Sequence, residues 1–336
     1  MSGLRLFDVY FAVDWSARSQ PSPARPARDA LWIAEMQVLG DGSITKEETY
    51  WRTRSACLAH LRERLLEHTR NDRRVFVGFD FCFGYPGGYA AALGLRGDAP
   101  PWRLLWDELS HLICDTSTNE NNRFAVANEL NMRCGGATPG PFWGHPVGVY
   151  LRNIPQTSPT FPYQLSSGAA LARFRRTEQW ARGVQPAWKL YGSGSVGGQT
   201  LLGIPAVSRL RDDPTLASIS QVWPFETGFT ATPTPDAGSC IICAEIYPGL
   251  LPKDVIDQTL PIRDQAQVRA MVRWLADLDA AGNLGKFFAV PDGLLPEAQT
   301  LCVREEGWIL GADKDKEWRL RRKKKDHEQQ RSTTDA

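Results

Sequence analysis

The chain of 336 residues lacks any uninterrupted apolar run near the roughly 20 residues that span a bilayer. Its opening, MSGLRLFDVYFAVDWSA, is broken by Asp8 and Asp14 and so contains no signal-peptide core. Both absences place the protein in the cytoplasm with no membrane partner. It also lacks an excess of either charge: 39 Lys and Arg stand against 38 Asp and Glu, for a net +1. No global field draws polyanions, so a nucleic-acid partner would be held by a local surface. Histidine is scarce: the 5 residues include no pair at helical spacing, which argues against a zinc hydrolase. There is no GxSxG and no Ser–His–Asp order. The 7 cysteines are odd in number and scattered, as reduced thiols are. The one CxxC, Cys240 and Cys243 in GSCIICAEIYP, lies inside a β-branched run. No second pair completes a zinc set, so these read as two core-strand thiols.

Aromatic and aliphatic residues are plentiful. Many of the 12 Trp sit beside Gly or Pro, which suits packed irregular loops around a large core. At roughly 100–200 residues per domain, the length fits one large domain better than two. FDVYFAVDW (7–15) reads as a strand ending at Asp14, and the Pro/Arg-rich segment after it as a loop. ALWIAEMQV and residues 46–52 read as two further strands. Residues 54–69 carry Leu58, Leu61, Leu65 and Leu66 at helical spacing. VFVGFDFCFGYP (75–86) is a continuous apolar run, the mark of a buried strand in a mostly parallel sheet. Three antiparallel strands followed by a crossover helix into a parallel strand make an open mixed sheet.

A long insert (87–217) follows. Helices are expected over 102–114, 119–131 and 170–182, with the Gly/Pro-rich GGATPGPFWGHPVG (135–148) as a packed lid. WKLYGSGSVGGQTLLGIPAVSRLR (188–211) starts extended, crosses glycines and ends in a helix. Residues 218–226 and 240–248 read as strands, 262–282 as the clearest helix with Gly282 as its stop, and 305–311 as a short strand or cap. The expected architecture is an α/β domain over 1–312, with a five-stranded mixed sheet, flanking helices and a helical/loop insert. A weakly ordered basic tail (313–336) completes it, carrying Arg319, Arg321, Arg322, Lys323, Lys324 and Lys325.

Acids share one context. Asp14 ends the first strand, Asp80 and Glu245 lie in later buried strands, and Asp264 opens the late helix, where it suits the positive end of the dipole. A carboxylate inside an apolar strand is costly unless paired or bound to a cation. A shared Mg²⁺ or Mn²⁺ would explain all four, because hard oxygen ligands are what these ions prefer. Glu226, in a similar setting, reads more as closing a turn. Gly192, Gly194 and Gly197 make a GxGxxG spacing after Lys189, and Lys189, Gly194 and Ser195 are candidates for contacting a phosphate. In the insert, Arg133 and His145 are further candidate substrate contacts, beside Arg123, Asn128 and Asn131.

The order FAVDWSA, GFDFCFGYP, AEIYPGLL and RDQAQVRAMVRWLADLD resembles an uncharacterised family predicted to have a ribonuclease H-like fold and to be metal-dependent nucleases. That resemblance covers roughly residues 7–310 in outline. It implies that Asp14, Asp80, Glu245 and Asp264 hold a divalent metal for phosphodiester hydrolysis, with residues 115–165 shaping the substrate. The chain departs from the family in its long insert and in reading Asp264-Gln265-Ala266 where a second Asp-Ala pair is usual. The fourth acid therefore stays open among Asp264, Asp277 and Asp279. A phosphotransferase of the sugar-kinase and actin-like type, with nucleotide on residues 192–198, is the competing reading. A non-catalytic accessory role, as in cobalamin or molybdopterin biosynthesis, is the third.

Overall fold

The computed structural model describes residues 5–313, apart from 41 and 182. The basic run at 319–325 lies outside the described residues. β1 (Val9–Asp14), β2 (Leu31–Val38) and β3 (Ile44–Trp51) form an antiparallel meander. α1 (Arg54–Arg70) starts where the Thr53 hydroxyl accepts from the Ala56 N–H. It crosses over to β4 (Arg74–Phe79), which runs parallel to β1.

The insert supplies α2 (Tyr89–Ala92), α3 (Pro101–Leu112), α4 (Arg123–Cys134), a small hairpin of β5 (Tyr163–Gln164) and β6 (Ala170–Leu171), and α5 (Gly197–Arg211). The chain then returns through β7 (Ser220–Val222), β8 (Cys240–Glu245), α6 (Arg263–Ala280), α7 (Gly285–Phe288) and α8 (Pro296–Leu301). The sheet order is β3-β2-β1-β4-β8-β7, six strands rather than the five expected. Of the strand read over 218–226, only the three residues of β7 pair, parallel to β8 at the edge. Pro224 follows soon after it and has no N–H to extend the ladder.

The central strands are covered on both sides, which is why they read as unbroken apolar runs. Alternation divides their side chains between two cores. Val9, Phe11, Val13, Val75, Val77, Phe79, Ile241 and Cys243 face α1 and the insert. Tyr10, Ala12, Phe76, Ile242 and Ala244 face α6 and the C-terminal segment. Leu105, Trp106, Leu130, Leu201 and Ile204 of the insert lie in the same core as Val13 and Phe79, so the insert is built into the sheet's own packing.

The expected helix over 170–182 is not formed. The chain makes β6 and a single 3₁₀ turn, Thr177–Gln179, because the buried Arg175 and Glu178 are drawn into a polar network. The helix expected from 119 begins at Arg123. The last segment is one π turn, Cys302–Glu306, and then a bridge from Ile309 to Glu245. No described helix is long and apolar enough to cross a membrane.

Candidate active site

β1, β4 and β8 are neighbours running in one direction, so their C-terminal ends open at the same sheet edge. Asp14 is the last residue of β1, Asp80 directly follows β4, and Glu245 is the last residue of β8. Asp264 enters from the first turn of α6. All four line one cavity of about 970 Å³.

Asp14 and Asp80 are level, since Val13 pairs with Phe79 one residue earlier. Asp14 is 9 % exposed, and among the described residues its carboxylate meets no hydrogen-bond donor and no cation. Burial, then the charges of Asp80, Asp264 and Asp29, raise its pKa well above the usual carboxylate range. The Asp80 carboxylate accepts the Trp15 N–H at 2.8 Å. Burial is the main cause that pushes it up to about 7, against the pull of that N–H. Asp264 accepts the Asp29 N–H at 2.7 Å and is raised mainly by burial.

Asp29 is the member that the sequence reading missed. It sits in the left-handed region (φ 53°) just before β2. Because β2 pairs antiparallel with β1, with Asp14 opposite Trp32, residues shortly before β2 come back beside Asp14. An acid two or three residues ahead of a hairpin partner strand was the available signal.

Glu245 is a correction to the expected ligand set. On β8 it shares the parity of Ile241 and Cys243, which puts it on the insert side of the sheet. Asp14 shares the parity of Tyr10 and Ala12, on the α6 side. Both Glu245 oxygens are occupied by Arg175, at 2.7 and 2.6 Å, and one also accepts the Phe83 N–H at 3.0 Å. Arg175 is fully buried and also donates to Glu178. An arginine from the insert, rather than a metal, neutralises this strand acid.

The rival fourth acids are structural. Asp279 is buried and accepts the N–H groups of Leu6 and Phe7 and the Tyr10 hydroxyl. Asp277 is exposed and faces Arg273. Glu226 caps the Val222 N–H and pairs with Arg211, closing a turn as read. Asp264 is thus the α6 acid that reaches the cavity.

Of the residues expected to touch substrate, Gly194 and Ser195 line the cavity. Lys189 does not: its Nζ donates to Ser193 O at 2.6 Å and to Gln185 at 3.3 Å, bracing the glycine turn from behind. Arg133 is taken by Glu108 on α3 and Glu129 on α4, and is absent from the cavity wall. His145 also lies off the wall, with Nδ1 3.0 Å from Pro146 O. The cavity is covered by residues 183–185 and 190–196, and from 115–165 only Arg123 reaches it. As they stand, no three His, Cys, Asp or Glu side chains among the described residues are grouped to hold a cation. Comparison of the chain with family models, curated proteins and solved structures gives no match.

Proposed function

We propose that the protein is a divalent-metal-dependent phosphodiesterase acting on nucleic acid, on a sheet of ribonuclease H type. The order β3-β2-β1-β4-β8, an antiparallel meander followed by parallel crossovers, supports that fold. The carrying observation is Asp14, a buried carboxylate with no donor among the described residues and three other aspartates around it. The aspartates around Asp14 raise its proton affinity, and Asp264 raises that of Asp80 as well. A cation resolves the repulsion that their geometry creates.

Asp14, Asp80 and Asp264 are the residues that would hold Mg²⁺ or Mn²⁺; Glu245, committed to Arg175, stands outside the set. When bound, the ion neutralises phosphate charge and makes its water more acidic. Asp80, oriented by the Trp15 N–H, would help hold the ion beside the attacking water, whose proton passes to solvent as its oxygen joins phosphorus. The ester oxygen leaves and takes up a proton. Asp264, fixed by the Asp29 N–H, sets the far side of the acid group.

The test is hydrolysis of end-labelled single-stranded oligonucleotides with Mn²⁺ or Mg²⁺, for the wild type and Asp14→Asn. Cleavage should require the metal and fall at least about 100-fold in the variant. Equal metal-dependent cleavage by both proteins would end the assignment.

A further inference from the structure

We infer that Arg123 and the start of α5 form a phosphate-monoester subsite opposite the acids, so that the substrate enters as a phosphorylated chain end. This rests on the phosphodiesterase reading for the chemistry but not for the binding.

The sheet provides only the acidic wall of the cavity. The facing wall comes from the insert: Arg123 at the start of α4, the Gly192–Ser195 turn, and Gln199 in the first turn of α5. Arg123 is mostly buried, and its Nε is sealed from solvent with no hydrogen-bond partner. Its Nη1 donates to the Ser19 hydroxyl at 2.9 Å and to Asn121 Oδ1 at 2.7 Å, both neutral groups. Among the described residues it forms no ion pair. Asp115, the carboxylate whose charge reaches it, is held at 2.6 Å by Arg54. A buried cation without a counter-charge is costly, and here burial and the neighbouring Arg54 lower its proton affinity to about 10. An anion seated against it would remove that cost. Trp15, 1 % exposed and also lining the cavity, has an indole Nε1 with no partner.

Gly198 keeps Arg123 in place. A Cβ there would lie 3.3 Å from Arg123 Nε and 3.2 Å from Ala17 Cβ, so the guanidinium lies directly against the helix start. The α5 N-terminus has no side-chain cap, and although the Gly197 N–H donates to Lys189 O at 2.8 Å, the helix dipole adds positive potential on the same wall. The volume of about 970 Å³ belongs to small-ligand pockets rather than to surfaces that cradle a continuous strand. Tyr191, 49 % exposed at the rim, offers a face on which an unpaired base can stack.

The experiment is calorimetric titration of the full chain with adenosine 5′-monophosphate, inorganic phosphate, a 5′-phosphorylated oligonucleotide, its 5′-hydroxyl form and a circular single strand. Each is measured with and without Mn²⁺, for wild type, Arg123→Gln, Arg123→Lys and Gly198→Ala. The monophosphate and the phosphorylated end should bind. Arg123→Gln should weaken both at least about 10-fold, Arg123→Lys less, and Gly198→Ala should also weaken them by displacing Nε. Binding of phosphate alone, equally sensitive to Arg123, would support the subsite and narrow its ligand to the anion. Binding indifferent to both positions, or tighter for the circular strand than for the phosphorylated end, would overturn it. Should Arg123→Gln fail to fold, Gly198→Ala decides. Loss of metal-dependent turnover with Arg123-sensitive binding intact would sink the phosphodiesterase reading alone and leave this subsite standing.

Discussion

Asp14→Asn should stabilise the protein in the absence of metal at about pH 8 and remove its response to divalent cations. The sign follows from the raised acids. A carboxyl held above its unfolded value binds its proton more tightly in the folded state. Its contribution is neutral below about pH 4 and becomes unfavourable as pH rises toward the folded value. Holding Asp80 at about 7 instead of 3.8 corresponds to about 4 kcal/mol if fully realised. Asp80 is partly open to the cavity water, which lowers this to about 1–2 kcal/mol. Removing the charge of Asp14 releases a comparable amount, about 1.5–3 °C in Tm for a protein of this size. The gain should shrink as pH falls and vanish at about pH 4, where the carboxyl is protonated in the unfolded state as well. Differential scanning calorimetry at about pH 4 and pH 8, with EDTA or millimolar MnCl₂, reads both effects. Mn²⁺ should raise the wild-type Tm at pH 8, much less at pH 4, and not at all in the variant. A variant less stable than wild type at both pH values, with wild type indifferent to Mn²⁺, would refute the reasoning.

Three further changes probe the frame around the acids. Arg175→Met strands Glu245 and Glu178 as buried charges and should cost about 3–5 kcal/mol in urea unfolding, partly recovered by adding Glu245→Gln. In Gly203→Ala the new Cβ would fall 2.3 Å from the Phe81 ring, so a loss of about 1–3 kcal/mol is expected, together with slower turnover because Phe81 adjoins Asp80. Glu35 is lowered to about 2; burial opposes this, and hydrogen bonds from Arg64 and His68 outweigh it. Its stabilising contribution is present above about pH 4.5 and is lost as pH falls through about 2. Glu35→Gln should therefore lower stability at neutral pH and flatten the acid unfolding curve between those values.

The sheet was legible because its strands are buried on both faces. Runs such as VYFAVD and RVFVGF have no polar alternation to hide them, and Thr53 and Gly282 bracket α1 and α6 as their chemistry requires. The edge strand at 218–226 was read too long: only Ser220–Val222 pairs, because Pro224 has no N–H to continue the ladder. Asp14, Asp80 and Asp264 stood out as carboxylates in apolar settings. Glu245 looked the same in sequence, and only strand parity together with Arg175, 70 residues earlier, separates it from them. Periodicity does not encode such long-range ion pairs. The same holds for 170–182, whose composition suits a helix but whose Arg175 and Glu178 serve tertiary partners. Lys189, Arg133 and His145 carried the right chemistry on backbones that point elsewhere.

Glu306 has a consequence for the order in which the molecule is assembled. One of its oxygens accepts the Gly87 N–H at 2.9 Å and the other the Arg176 N–H at 2.6 Å, while its carbonyl receives Arg175. The knot that fastens two distant stretches of the insert is therefore tied by a residue synthesised long after both. On the ribosome, the stretches around Gly87 and Arg176 stay unjoined through this knot until the segment around Glu306 emerges, and a nascent chain stopped short of it carries Arg175 without its final acceptor.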